Sequence, residues 1–343
     1  MSALAVLAGG PAAAVLLSDD HHRDVNNLLT PAKSTPTPTP DVPALAPPQP
    51  NPLAGQSLYV DPHSKALDAA AHATDARNAA LLRRIGNAPQ AFWYGDWVPA
   101  GQIAAQVREV VDRAAAINRV PVLVAYDIPV RDCHGYSGGG AKSPAAYREW
   151  IDAFATGVGG HAAIVILEPD ALAQLDCLSP QDQATRVSLL RYAVHRLAQP
   201  KTMVYADAGH ADWVAPATMA QRLRQIDVSA GRGFALNVSN FDRTSDEVGY
   251  GHAVQAALGD RSPFVIDTSR NGAGPASDHA WCNPPGRAVG ALPTLRTGLS
   301  DVDAFLWVKR PGESDGTCNG GPQAGQFWTD YAIRLAGTAA SGN

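Results

Sequence analysis

Only four of the 343 residues are cysteine, too few for a disulfide-dense miniprotein. No two of them stand as C-x-x-C, the close spacing a zinc site would want. They can form two bridges, hold one metal, or stay as buried thiols. There are 27 Lys and Arg against 32 Asp and Glu, a formal net charge of −5. That mild acidity leaves no basic face for nucleic acid or an anionic membrane, and no nucleic-acid partner is expected. No stretch reaches the roughly 20 apolar residues that span a bilayer. No G-x-G-x-x-G follows the first strand, which weighs against a dinucleotide fold. Internal repeats are absent. The chain is instead 45% hydrophobic with only 17% charged residues. This composition excludes a mainly disordered chain. The length supports a sizeable core in one large domain or two ordinary ones.

The first fifty residues stand apart. Residues 3–17 (ALAVLAGGPAAAVLL) form an apolar run of signal-peptide length, without the usual basic flank. Gly9, Gly10 and Pro11 interrupt it, so an export leader is expected rather than a stable membrane span; retention as an envelope anchor is the alternative. In residues 31–52, nine of 22 are Pro. Pro fixes φ and removes a donor, so this segment joins no sheet or helix. It reads as an extended spacer of about 70 Å. The expected organisation is a leader over 1–30, a Pro/Thr-rich linker over 31–52 and one catalytic domain over 53–343.

From there apolar strands alternate with helices. PVLVAY (Pro121–Tyr126), AIVIL (Ala163–Leu167), TMVYA (Thr202–Ala206), FALNV (Phe234–Val238), FVI (Phe264–Ile266) and AFLWV (Ala304–Val308) read as buried strands. Ser143-Pro144 and Ser179-Pro180 each look like an N-cap followed by Pro at the first helical position. Helices are also expected over 216–226 and 246–258. This alternation predicts an α/β fold with a parallel sheet, and the number of units favours a barrel over an open sheet.

Each strand is followed by polar residues: Asp127 and Arg131-Asp132-Cys133, then Glu168-Pro169-Asp170, then Asp207 with His210, then Ser239 and Asn240, then Asp267 with Arg270, and finally Lys309, Glu313 and Asp315. In a parallel barrel these ends open onto one face, which carries the active site. The carboxylates are therefore expected to converge on one cleft. Such clusters suit hard-cation binding or glycoside hydrolysis, in which one carboxyl protonates the leaving oxygen and another helps to activate water. Trp93, Trp97, Trp213 and Trp281 fall in expected loops near that face. Indoles stack on sugar rings while Asp, Asn, Lys and Arg bind hydroxyls. That pairing favours a polysaccharide cleft, and no metal or cofactor is expected.

At these residues the chain resembles glycoside hydrolase family 6, the cellulases once called family B. The similarity is carried by VLVAYDIPVRDCHGYSGGG (Val122–Gly140), IVILEPDAL (Ile164–Leu172), YADAGHADW (Tyr205–Trp213), DTSRNG (Asp267–Gly272), WCNPPGRAVG (Trp281–Gly290) and LWVKRPGESDG (Leu306–Gly316). The resemblance implies a distorted seven-stranded, TIM-like β/α barrel with an active-site cleft, and hydrolysis of β-1,4-glucan with inversion. It implies Asp170 as general acid, and Asp132 as the residue that keeps the acid protonated and is tied to the water chain. Tyr126 matches the residue that distorts the sugar ring, and Asp315 the position proposed as general base. Asp207, His210, Lys309 and Glu313 match substrate-contacting positions, with Asn240 counted beside them. Trp93, Trp213 and Trp281 match the stacking positions. The family's pairing implies the disulfides Cys133–Cys177 and Cys282–Cys318.

The chemistry of these residues agrees with that carry-over. Asp170 follows an apolar strand, and a nearby Asp132 would raise its pKa by like-charge repulsion. Glu168 is expected to be structural, on the opposite face from Asp170. The family's loop Ser, six residues past the RDC aspartate, is Gly138 here, with Ser137 one residue earlier. Short paths from Asp267 to Trp281 and from Lys309 to Phe327 predict an open cleft. The expected function is a secreted, monomeric endo-β-1,4-glucanase with no obligate protein partner. An exo-acting cellobiohydrolase and a silent glucan-binding protein are the alternatives.

Overall fold

A computed structural model describes residues 49–340. Seven strands form one parallel sheet in which neighbours along the chain are neighbours in space. They are β1 (Phe92–Gly95), β2 (Val122–Tyr126), β3 (Ala163–Leu167), β4 (Thr202–Asp207), β5 (Gly233–Leu236), β6 (Phe264–Asp267) and β7 (Val302–Leu306). The sheet curls into a half-barrel. Its two edges approach where the Ala91 amide donates to the Trp307 carbonyl at 3.0 Å and the Trp93 indole donates to the Val308 carbonyl at 2.8 Å.

The helices α1 (Lys65–His72), α2 (Ala76–Gly86), α3 (Ala100–Ala116), α4 (Pro144–Val158), α5 (Pro180–Leu197), α6 (Pro216–Gln225), α7 (Thr244–Leu258) and α8 (Thr329–Gly337) surround the sheet. Strand side chains alternate between two apolar clusters. Val122, Val124, Ile164, Ile166, Tyr205, Val265 and Leu306 pack together inside the barrel. Leu123, Val165, Leu167, Val204 and Ile266 pack outward with Phe154, Leu190 and Leu223 of the helices. Both faces are covered, which is why β2 and β3 read as unbroken apolar runs.

Both Ser-Pro signals open helices as expected. Ser143 Oγ accepts the Ala146 amide at 3.1 Å, and Ser179 Oγ accepts the Asp182 amide at 3.2 Å. Strand β1 departs from the expectation, and with it Trp93 lies on a strand rather than in a loop. Its four residues, FWYG, open with three aromatics that favour strands, but the run is too short to show a period, and pairing with β2 fixes it. Strand β7 begins two residues earlier than expected, at Val302. Asp303 has no register partner in β6, and its carboxylate accepts the Tyr205 hydroxyl at 2.6 Å and Arg232 Nε at 2.8 Å.

The expected leader and most of the expected linker lie outside the described residues. At the linker's end, the Asn51 amide donates to the Asp303 carbonyl at 2.7 Å, and Leu53 is buried in the core. Among the described residues no helix is long and apolar enough to cross a membrane.

The caps make a direct prediction. Ser143→Ala should lower the unfolding free energy by about 1 kcal/mol, and Ser143→Gly by only a few tenths. Urea unfolding of the two variants checks this; equal midpoints for Ala and wild type would remove the cap.

Candidate active site

Loops at the carboxyl ends of the strands enclose a cavity of about 960 Å³. Trp93, Tyr126, Asp132, Asp170, His210, Trp213, Asn240, Trp281, Lys309, Glu313 and Asp315 all line it. Of the residues expected to touch substrate, Asp207 is not among them. It is 1% exposed, and its Oδ1 accepts the amides of Asp170 at 2.9 Å and Gly209 at 3.0 Å. As the last residue of β4, it faces inward beneath the turn that carries Asp170. Burial pushes its carboxyl well up, and the charge of Asp170 adds to this.

The strand-end carboxylates thus form two layers. The lower one is Asp207 and Asp267, both buried; Glu168 is equally buried but turns outward, toward Tyr147 of α4. Glu168 accepts the amides of Asp127 and Ile128, each at 3.0 Å. Burial pushes it up to about 8 despite those bonds. Asp267 accepts the amides of Ser239, Ser269, Val308 and Lys309 at 2.9–3.2 Å. Glu168 is indeed apart from Asp170, though strand alternation is not the cause. The strand ends at Leu167, and Glu168 and Asp170 both adopt left-handed backbone, with φ of +49° and +70°.

The upper layer faces the cavity. Asp170 is raised to about 7, first by burial and then by the charge of Asp132, against the pull of His210 and Lys309. Asp132 accepts the Ser137 amide on Oδ2 at 2.8 Å and Gln174 Nε2 on Oδ1 at 3.0 Å. Asp315 behaves oppositely to Asp170. Burial alone would raise it, yet Arg270 and Lys309 hold its carboxyl below the usual range. Arg270 Nη1 lies 2.7 Å from its Oδ2, and Lys309 Nζ 3.1 Å from its Oδ1. The Asn283 amide adds a bond at 3.0 Å.

Two residues from distant loops complete this picture. Arg270 is fully buried over the Phe241 ring and also donates to the Ser239 carbonyl. It stands inside DTSRNG, but nothing in that motif says that its guanidinium reaches Asp315. Arg131 donates to the Tyr126 carbonyl at 2.6 Å and to Asp96 at 3.1 Å, and lies over the Tyr126 ring.

Aromatic rings border the same space. Trp97, Trp213 and Trp281 are 55%, 40% and 51% exposed, while Trp93 is half-buried with its ring edge-on to Tyr126 at 5.2 Å. Tyr136, which sequence reasoning missed, sits 6.1 Å from Trp281 between ring centroids. His210 Nδ1 lies 2.7 Å from Asp242 Oδ2, with Glu247 beside them. These three residues offer donor atoms within 4.8 Å of one another, a spacing a metal could use. His210 Nδ1 and Asp242 Oδ2 form an ion pair but make no hydrogen bond, and Glu247 Oε2 is likewise unpartnered among the described residues, while Glu247 Oε1 accepts the Ala211 amide at 3.0 Å.

Disulfides tie the loops in pairs. Cys133–Cys177 links those after β2 and β3, and Cys282–Cys318 links those after β6 and β7. Both match the implied pairing.

Comparison with known proteins follows this geometry. A family profile described as "Glycosyl hydrolases family 6" matches residues 53–339. "Endoglucanase A" of Cellulomonas fimi is 47% identical over 293 residues, covering 84% of this chain. The chain spans only 62% of that relative's length. The solved endoglucanase Cel6 of Mycobacterium tuberculosis, bound to a thio-cellobioside, is 49% identical with a TM-score of 0.81, covering 84% of this chain and 99% of that one. The catalytic core of the cellobiohydrolase Cel6A of Chaetomium thermophilum is 27% identical with a TM-score of 0.76, covering 84% and 98%.

The buried Arg270–Asp315 pair is testable by removing one partner. Arg270→Met should cost about 3 kcal/mol, because it leaves the buried Asp315 with Lys309 as its one counter-charge. Adding Asp315→Asn should recover part of that loss. Denaturant unfolding measures both; a stable single variant would show that Asp315 does not depend on Arg270 as its counter-charge.

Proposed function

The chain belongs to the glycosyl hydrolases of family 6, and on that premise we propose that it is a secreted endo-β-1,4-glucanase that inverts the anomeric carbon. One observation carries the reading. Asp170 is a part-buried carboxyl raised to about 7 in a Trp-lined cavity, with the negative charge of Asp132 next in effect after desolvation. A general acid must hold its proton at the working pH and release it to the leaving oxygen.

In this mechanism β-1,4-glucan lies along the cavity on Trp93, Trp213 and Trp281. His210, Asn240, Lys309 and Glu313 bind its hydroxyls, and Tyr126 crowds the ring at the cleavage point. Asp170 gives its proton to the glycosidic oxygen as the bond from C1 breaks. Water attacks C1 from the opposite face, and its proton leaves along a hydrogen-bonded path past Asp132. Asp315, the expected base, sits in an environment that opposes that role. Two cations and an amide hold it as an anion of low proton affinity. Its charge better serves to stabilise the positive character that develops on the sugar. Asp207 acts from below, by seating the Asp170 turn.

Endo action is supported by the relatives. Those at 47% and 49% identity are named endoglucanases, and the one at 27% is a cellobiohydrolase. Export is supported by two disulfides, which persist in oxidising compartments. We assign residues 1–30 to the leader, 31–52 to the linker and 53–343 to the catalytic domain, acting as a monomer.

Asp170→Asn on soluble β-glucan tests the chemistry, with an expected loss of about 10²–10⁴-fold in kcat. Turnover at the wild-type rate would sink the mechanism. The acid works protonated, so wild-type kcat/KM should fall as pH rises through about 7. Asp132→Asn removes the like charge and should move that limb to lower pH. Internal cleavage predicts that carboxymethylcellulose viscosity drops well before reducing ends accumulate; cellobiose release without viscosity loss would favour the exo reading.

A further inference from the structure

Gln174 lies one turn beyond Asp170, and its backbone amide donates to the Asp170 carbonyl at 2.8 Å. Its side chain crosses to another loop, where Nε2 donates to Asp132 Oδ1 at 3.0 Å. Asp132 Oδ2 accepts the Ser137 amide at 2.8 Å. Both oxygens are therefore acceptors, the pattern of an ionised carboxylate. Gln174 Oε1 is buried and has no partner among the described residues, so Asp132 alone decides which way the amide faces.

The surroundings are shaped to this carboxylate. Asp132, Cys133 and His134 run in left-handed backbone, with φ of +53°, +45° and +69°, a conformation that costs about 1–2 kcal/mol per residue. A Cβ at Gly135 would meet Asp132 Oδ2 at 2.5 Å. The Cys133–Cys177 bridge joins the two backbones on either side of the Gln174–Asp132 contact. That bridge fixes the backbones relative to each other. The orientation of the carboxylate itself is left to the side chain of Gln174 and the amide of Ser137.

We propose that Gln174 is a positioning residue that holds Asp132 as an anion at a set distance from Asp170, so that the acid keeps its proton until the glycosidic oxygen takes it. This rests on reading Asp170 as the general acid. Gln174 itself neither gives nor takes a proton. The charged and titratable groups around Asp170 are Asp132, His210, Lys309, Asp315, the buried Asp207 beneath it and Tyr126. Among these, Asp132 is the one Gln174 touches.

Gln174→Met keeps the length of the side chain without its donor, and Gln174→Leu is read in parallel against a packing defect in either. Released from Gln174, Asp132 swings away and repels Asp170 less. The basic limb of kcat/KM on soluble β-glucan should then move down by about 0.5–1 pH unit. At pH 7, kcat should fall about 2–5-fold, with KM within about twofold. Because the effect runs through Asp132, Gln174→Met should shift the limb no further in an Asp132→Asn background. A lowered rate with an unmoved limb, an unchanged rate and limb, or a further shift in the double variant would each overturn the proposal. Asp170→Asn, assayed alongside, separates this from failure of the underlying reading: if that variant stays active, Asp170 is not the acid.

Discussion

Asp207 and Asp267 lie beneath the cavity, Glu168 faces Tyr147 on the helix side of the sheet, and all three accept backbone amides of the strand-end loops. Asp267 alone gathers amides from the loops after β5, β6 and β7. A buried polar group left without a hydrogen-bond partner costs about 1–3 kcal/mol, and here the loop amides are the partners of these carboxyl groups. A loop that leaves its place strands one of these groups. The active-site loops are thereby held to the barrel rim, although several of their residues occupy left-handed backbone.

Above Asp207 and Asp267 stand three carboxylates, and the proton affinities of two, Asp170 and Asp315, are driven apart by what faces them. Asp170 has burial and Asp132 against it, and is raised to about 7. Asp315 is more deeply buried than Asp170, but Arg270 and Lys309 touch it and hold it ionised. Paired titratable groups pushed in opposite directions divide acid from electrostatic roles. Asp132 accepts hydrogen bonds on both oxygens, and its charge bears on Asp170. Exposed indoles at the rim supply apolar faces that carry no charge and leave this balance alone.

Much of this was legible in the sequence. β2 to β6 were visible because both faces of the sheet are buried, one against the helices and one inside the barrel, which makes each strand a continuous apolar run. Ser143-Pro144 and Ser179-Pro180 mark helix starts by local chemistry alone. Strand β1 was missed: Phe92, Trp93 and Tyr94 favour a strand, but four residues are too few to show a period. The polar residues after each strand pointed to one face, but not to their depth on it. Asp207 and Asp170 look alike along the chain, and only the curl of the sheet puts one below the other.

The sequence by itself determined the alternation of strands and helices, the face that carries the site and the residue types available there. These are set by short-range chemistry: period, capping and the order of residues at strand ends. Tertiary structure alone decided which carboxylate stays protonated, which is paired and which holds a loop. Arg270 reaches Asp315 across 45 positions, and Gln174 reaches Asp132 across 42. Coulomb interaction and desolvation depend on distance and enclosure, and neither quantity exists until the barrel has folded.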